Sequence, residues 1–230
     1  MAIRSGLAAQ CGVAAESTFA TNVASTSFYP FAKIALQKVK NTVTAAGITA
    51  GALGQLGAWR RVTTTAGKGS LEGPVVNRKM GLFLQALMGT SVTPVQQAAT
   101  TAYLQTHTLA DTFGKSLSLQ AGVPELSGTV RPYTLNGSKI NDAEFTFEVD
   151  KAVTVKFGID AQAMSEVPSL AVASYVTSRP FVGTDASFKV GATFGSEAAV
   201  SGVKKVAVKI DRGLKVDRLE ITQEVNSDTS

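Results

Sequence analysis

The feature that most constrains this chain is a pair of alternating segments, 143–149 and 153–159, separated by Asp150-Lys151. In the first, Phe145, Phe147 and Val149 fall on one side and Glu144, Thr146 and Glu148 on the other. In the second, Val153, Val155, Phe157 and Ile159 oppose Thr154 and Lys156. A period of two with side chains this different gives two adjacent strands an apolar face and a wetted face. The apolar face needs a covering layer, and composition says of what kind. Aromatic residues make up 7% and charged residues 17%, while small residues and valine abound, which suits thin β-layers joined by turns better than a helical bundle. The expected fold is mainly β: a two-layer sandwich or barrel-like arrangement with one flanking helix, in a single domain spanning 1–230.

Further strands follow from the same reasoning. Residues 33–43 alternate with one irregularity, through Ile34, Leu36, Val39 and Val43. WRRVTTTA (59–66) and SLEGPVV (70–76) flank Gly67-Lys68-Gly69 and read as a hairpin, and 130–135 and 138–140 flank Asn136-Gly137, the strongest short hairpin signal in the chain. Short strands are expected over 117–120, 187–193 and 203–210, with another at 214–225 after an Asp211-Arg212-Gly213 turn. The helix lies within 79–88, where Met80, Phe83, Leu84, Leu87 and Met88 share a stripe; Asn77 is the expected N-cap and Gly89 the stop. Residues 1–32 read as an N-terminal arm and 226–230 as a polar tail.

One segment resists folding on its own. TAAGITAGALGQLGA (44–58) carries Gly47, Gly51, Gly54 and Gly57 among alanines, with only Ile48, Leu53 and Leu56 as sizeable apolar anchors. A loop longer than ~12 residues in a compact domain is usually functional or disordered. Ordering it costs roughly 1–2 kcal/mol per residue of backbone entropy, so it is expected to order against a partner.

The chemistry of an enzyme is missing from the pattern. His107 is the lone histidine, without an HExxH or a second ligand, and reads as a surface or edge residue. There is no GxSxG elbow. Gly67-Lys68-Gly69-Ser70 fails the phosphate-loop spacing and is followed by a strand. Glu144 and Glu148 share a strand face roughly 13 Å apart, too wide for a carboxylate pair acting on one bond. The one cysteine, Cys11, allows no intramolecular disulfide or cysteine cage. No metal or cofactor is expected, no apolar run reaches ~18 residues, and the N-terminal stretch lacks a continuous signal-peptide core. A net charge of +5 is small for 230 residues. The basic stretch Lys204, Lys205, Lys209, Arg212, Lys215, Arg218 lacks interleaved aromatics, which favours a solvated face or subunit contacts over a nucleic-acid platform. The residues thus point to a structural, self-assembling, β-rich subunit.

The order of features also resembles a known family. GLAAQCGVAAESTFATNV…STSFYPF, AAGITAG, WRRVTTTAGKGSLEGPV followed by MGLFLQALMG, and YLQTHTLAD…KSLSLQAGVP…GTVRPYTLNGSKI look like the tail tube (major tail) proteins of long-tailed, siphovirus-type phages, especially those of actinobacterial hosts. The likeness runs from about Ser5 through RPFVG (179–183) to KIDRGLKVDR (209–218). It implies hexameric rings stacked head to tail into a hollow tube that conducts DNA into the host, with hairpins pairing around the ring into one continuous β-barrel. It further implies a virion location after assembly in the host cytoplasm, and tape measure, tail tip and tail terminator proteins as partners besides the chain itself. The glycine loop, with Gly47, Ile48, Gly51, Leu53, Gly54, Leu56 and Gly57, would reach a neighbouring ring. Because cationic walls grip phosphates, the bore is expected to be lined by Thr63, Thr65, Ser70, Glu72, Glu144, Thr146 and Glu148, with the lysine excess elsewhere. A nucleic-acid-binding module, or another ring-former such as a tail terminator or a secretion-system tube subunit, are the competing readings.

Overall fold

A computed structural model describes residues 6–45, 59–193 and 195–214. It is mainly β with one α-helix, α1 (Gly81–Met88). The strands are β1 (Gln10–Ala15), β2 (Ser27–Phe28), β3 (Lys33–Thr44), β4 (Arg60–Pro74), β5 (Val95–Gln96), β6 (Tyr103–Leu104), β7 (Leu117–Pro124), β8 (Val130–Glu148), β9 (Thr154–Ala161), β10 (Ala163–Ser165), β11 (Lys189–Val190), β12 (Ala198–Ala199) and β13 (Lys205–Asp211). Nine of them join in one antiparallel network in the order β2-β1-β7-β8-β9-β4-β3, with β10 and β13 also on β8.

β8 makes the two layers out of this one network. Its first half pairs with β7, and its second half with β9 and β13. Between the halves lies Asn136-Gly137, expected as a hairpin turn. The chain instead continues as the same strand, and the dipeptide is an irregularity where the register with β7 slips between Leu117/Ser138 and Leu119/Leu135. Gly137 sits at φ +62°, a left-handed conformation that glycine tolerates without cost. A buried carboxylate holds the bend. Glu16, 6% exposed, accepts hydrogen bonds from the Gly137 N–H (2.8 Å), the Ser118 hydroxyl (2.8 Å) and the Ala20 N–H (2.9 Å), while Asn136 Nδ2 donates to the Ala20 carbonyl at 2.9 Å.

The second expected hairpin, at Gly67-Lys68-Gly69, is also absent: β4 is one strand through all three residues. These glycines are close-approach positions. A Cβ on Gly67 would lie 2.6 Å from Leu135 Cδ2, and one on Gly69 2.9 Å from Leu135 Cδ1, so bare backbone on β4 admits the fully buried Leu135 of the other layer.

Three smaller expectations also change. Within the expected N-terminal arm, Gln10–Ala15 is an integral strand, β1, between β2 and β7, and its Cys11 and Val13 are wholly buried. Burial pushes the Cys11 thiol up to about 12. Asn77 does not cap α1; its Oδ1 accepts from the Arg179 N–H at 2.9 Å, and the helix begins one turn later without a side-chain cap. The helix does end at Gly89, at φ +91°, whose N–H returns to the Gln85 carbonyl. The expected strand over 117–120 extends to Pro124. Most of the expected strand 214–225 lies outside the described residues.

α1 buries Phe83, Ala86 and Leu87 on the sheet. Phe83 stacks on Phe157 (5.1 Å between ring centroids) and tilts against Tyr29 (5.3 Å), joining helix, β9 and the segment after β2 in one aromatic core. On the far side of the other layer, Gln120 on β7, 1% exposed, donates to Thr134 and to the Pro168 carbonyl and accepts from the Ala171 N–H, fixing the irregular segment 166–172 over that face.

Removing Glu16 orphans two backbone donors and a hydroxyl inside the bend. Glu16→Ala is expected to lower unfolding stability by about 3 kcal/mol, while Glu125→Ala, which removes an ion pair with Arg131 and a long hydrogen bond from the Ser127 hydroxyl, both exposed, is expected to cost under ~1 kcal/mol. Urea denaturation of the two variants checks the contrast, and equal midpoints would exclude a special role for the buried carboxylate.

Candidate functional site

The half of the network made by β3-β4-β9-β8-β13 has two unlike faces. Leu71, Val155, Phe157 and Ala143 point into the core, and their neighbours in sequence point out. Across the outer face, directly opposed residues form a row through all five strands: Lys33 opposite Glu72, Glu72 opposite Lys156, Lys156 opposite Glu144, Glu144 opposite Lys209. Beside it run Lys68 opposite Asp160 and Lys205 opposite Glu148. Opposed residues of an antiparallel pair share a face with Cβ atoms about 5 Å apart, so these charges alternate in sign at strand spacing.

Of the residues expected to share a lining, Ser70, Glu72, Glu144, Thr146 and Glu148 do lie on this one face. Thr65 has the parity of Gly67 and Leu71 and points to the opposite side, and Thr63 occupies a bulge where its hydroxyl donates to the Asn41 carbonyl at 3.2 Å. The hairpin assumed for 59–76 hid this split, because in a single continuous strand parity carries across the glycines. Acids and bases share this face: Lys205 and Lys209 stand on it opposite Glu148 and Glu144, as do Lys33, Lys68 and Lys156 opposite their own carboxylates. One signal in the sequence does mark this pairing. Glu144 and Glu148 are spaced by four residues, as are Lys205 and Lys209, which is what an antiparallel ladder of complementary charge requires.

At the end of the face, Lys151 Nζ lies 2.6 Å from Glu148 Oε1 and Lys205 Nζ 3.9 Å from Oε2. The Lys151 hydrogen bond, the largest influence, outweighs an opposing desolvation and, with the charges of Lys151 and Lys205, holds the Glu148 carboxyl below its ordinary range.

Beyond the sheet, β3 and β4 continue as a two-stranded arm in which Asn41–Thr44 pairs with residues 60–64. No layer covers it: Val43 and Val62 are more than half exposed. Lys40, Arg60 and Arg61 sit on this arm opposite Thr65, Thr44 and Val43, and Lys38 stands at its base opposite Gly67, so none has a carboxylate across the ladder. The glycine-loop residues Gly47, Ile48, Gly51, Leu53, Gly54, Leu56 and Gly57 belong to 46–58, outside the described residues.

The two outer strands, β3 and β13, each pair on one side only among the described residues. Val208 on β13 is 42% exposed although it points to the core side, opposite Phe145. On β3, Ile34 and Leu36 border an open groove of about 320 Å³, completed by Ala121, Val123, Tyr133 and Met164. Both edges therefore present unfinished apolar surface on the same side of the sheet. Among the described residues no three His, Cys, Asp or Glu side chains group as metal ligands, and His107 meets only Gln105 Oε1, at 3.4 Å. Lysine 68 of the expected turn points out from mid-strand.

Lys151→Gln is expected to raise the Glu148 titration midpoint toward that of an ordinary glutamate, readable by carboxyl-carbon NMR; an unmoved midpoint would remove the Lys151 hydrogen bond as the cause.

A protein-family model described as phage tail tube protein matches residues 6–229. No curated protein matches the sequence.

Proposed function

From the premise that the chain belongs to the phage tail tube protein family, and is thus a structural component of the virion tail, we propose that its copies close into hexameric rings that stack head to tail into a hollow conduit for DNA ejection. The observation that carries this reading is the pair of open edges. Every junction in β3-β4-β9-β8-β13 is antiparallel, so the first and fifth strands run the same way. A rotation about a ring axis, which preserves strand direction, brings β3 of one copy beside β13 of the next as a parallel pair. Repeating it consumes both edges of every subunit, whereas a two-fold dimer through one edge leaves the other exposed to further pairing. The apolar sides coincide in this arrangement, with Val208 approaching Ile34, Leu36 and the groove beside them.

The arm supplies the axial contact. Its two strands flank residues 46–58 in sequence, and on this reading the loop with Ile48, Leu53 and Leu56 engages the adjacent ring, a heterologous contact that propagates without closing. No step of this function calls on a catalytic group or cofactor. Tape measure, tip and terminator proteins are the partners that start, measure and end such a tube, which assembles in the host cytoplasm.

Negative-stain microscopy of the concentrated protein should show long hollow tubes; a persistent monomer under every assembly condition would defeat the proposal. Cysteine pairs test the lateral contact. Within one subunit, Ala35 on β3 shares its register with Asp211 on β13 four strand spacings away, about 19 Å, and Ala207 lies farther still, both beyond disulfide reach. With Cys11 replaced by serine, Ala35→Cys combined with cysteine at Ala207 or Asp211 should give oxidised ladders of covalent multimers only in tubes. Tubes without ladders from any such pair would place the ring contact elsewhere.

A further inference from the structure

The outer face of β3-β4-β9-β8-β13 holds five exposed lysines, Lys33, Lys68, Lys156, Lys205 and Lys209, and each stands directly across the ladder from a carboxylate. Such regularity is not needed for folding, since exposed ion pairs contribute little to stability. The arm of the same sheet shows the contrast: its lysines and arginines face threonine, valine and glycine. Within one sheet, then, cations stand across the ladder from carboxylates on the broad face and from uncharged residues on the arm.

We propose that this face is the surface that meets passing DNA, and that its carboxylates keep the lysines from binding phosphate. The proposal rests on the tube reading for the presence of DNA, but its electrostatics can be judged separately. Strands lie about 4.8 Å apart, inside the Debye length of about 8 Å at physiological salt. A phosphate approaching the face meets plus and minus charges closer together than the screening distance, and their fields cancel before contact ion pairs matter. Lys156 shows the design best, with Glu72 on one side and Glu144 on the other. The wall that results is charged, hence hydrated and resistant to apolar sticking, yet without the lysine-to-phosphate contacts that would release counterions and arrest the polymer. An acid-only lining would achieve the same non-adhesion by repulsion; this chain achieves it by pairing.

The carboxylates predict a latent polyanion site. Replacing them with isosteric amides, Glu72→Gln with Glu144→Gln, leaves Lys33, Lys156 and Lys209 uncompensated. Binding of the soluble subunit to a double-stranded DNA oligonucleotide is measured against salt. The wild-type slope is set by the arm; in the double variant the log–log slope should steepen by about 2.7, at about 0.9 for the phosphate each of the three lysines newly engages. Glu197→Gln, which removes a carboxylate hydrogen-bonded to the Gly195 N–H, should leave the slope unchanged, as should Lys156→Gln in the otherwise wild-type chain. An unchanged slope in the double variant, an equal steepening in Glu197→Gln, or a loss of binding in Lys156→Gln would each overturn the proposal. Circular dichroism confirms that the variants remain folded. Failure of the wild-type protein to form tubes would instead undo the ring reading and leave the slope comparison standing.

Discussion

The bend of β8 at Asn136-Gly137 is the constraint on which the rest of the molecule depends. A single 19-residue strand contributes its first half to one layer and its second to the other, so the angle between layers is set where the register slips. Glu16 holds that point from inside. Its carboxylate gathers donors from Gly137, from Ser118 on β7 and from Ala20 in the loop after β1. Hydrogen bonds to a charged group in a site shielded from water are among the stronger polar contacts available to a fold, and the group is costly to leave unpaired. With the angle fixed, Leu135 meets the bare backbone of Gly67 and Gly69 across the layers, and Phe83 of α1 can stack on Phe157.

Local alternation was the most legible part of the sequence. Phe145, Val155, Phe157 and Ile159 lie on the core side as their period of two required, and the wetted face behind them carries Glu144, Thr146 and Glu148 as expected. What failed were the inferences drawn from glycine. Asn136-Gly137 and Gly67-Lys68-Gly69 both have the composition of a turn, but composition reports only what a backbone can do. Whether a glycine turns the chain or makes room for a neighbour depends on what stands opposite, and Leu135 is 68 residues from Gly67 in the chain. The buried β1 was missed for a related reason: Gln10, Gly12 and Ala14 on its second face look like a polar, small-residue arm until the segment 166–172 is seen covering that side.

The same non-local logic governs charge. Summed over the chain, the balance is +5, which suggested that lysines and carboxylates occupy different surfaces. The register shows that they do not divide by surface but by neighbour. Lys205 and Lys209 near the C-terminal end come back to Glu148 and Glu144 through a single antiparallel pairing, while Lys40, Arg60 and Arg61 on the arm and Lys38 at its base are without such partners. Net charge is therefore a poor guide to what a polyanion would encounter. The field a few ångströms above a sheet depends on whether opposite charges lie within a screening length of one another, and strand spacing guarantees that whenever the register opposes them.

On the proposed conduit reading, this arrangement also reconciles two demands on a tube subunit. Contacts between copies benefit from uncompensated charge and unfinished apolar edges, because those gain most from a partner; a conduit wall benefits from surface that gains nothing from contact. In this fold the two kinds of surface occupy different parts of one sheet. Edge strands β3 and β13 leave Ile34, Leu36 and Val208 incompletely covered, and the arm leaves its cations without opposed carboxylates, while each exposed lysine of the broad face between the edges stands opposite a carboxylate of the same subunit, the one like-charged opposition there being Asp142 with Asp211. A β-sheet is well suited to such a division, since its edges and tips are where backbone and side chains lack neighbours, and its centre is where every residue has one on each side.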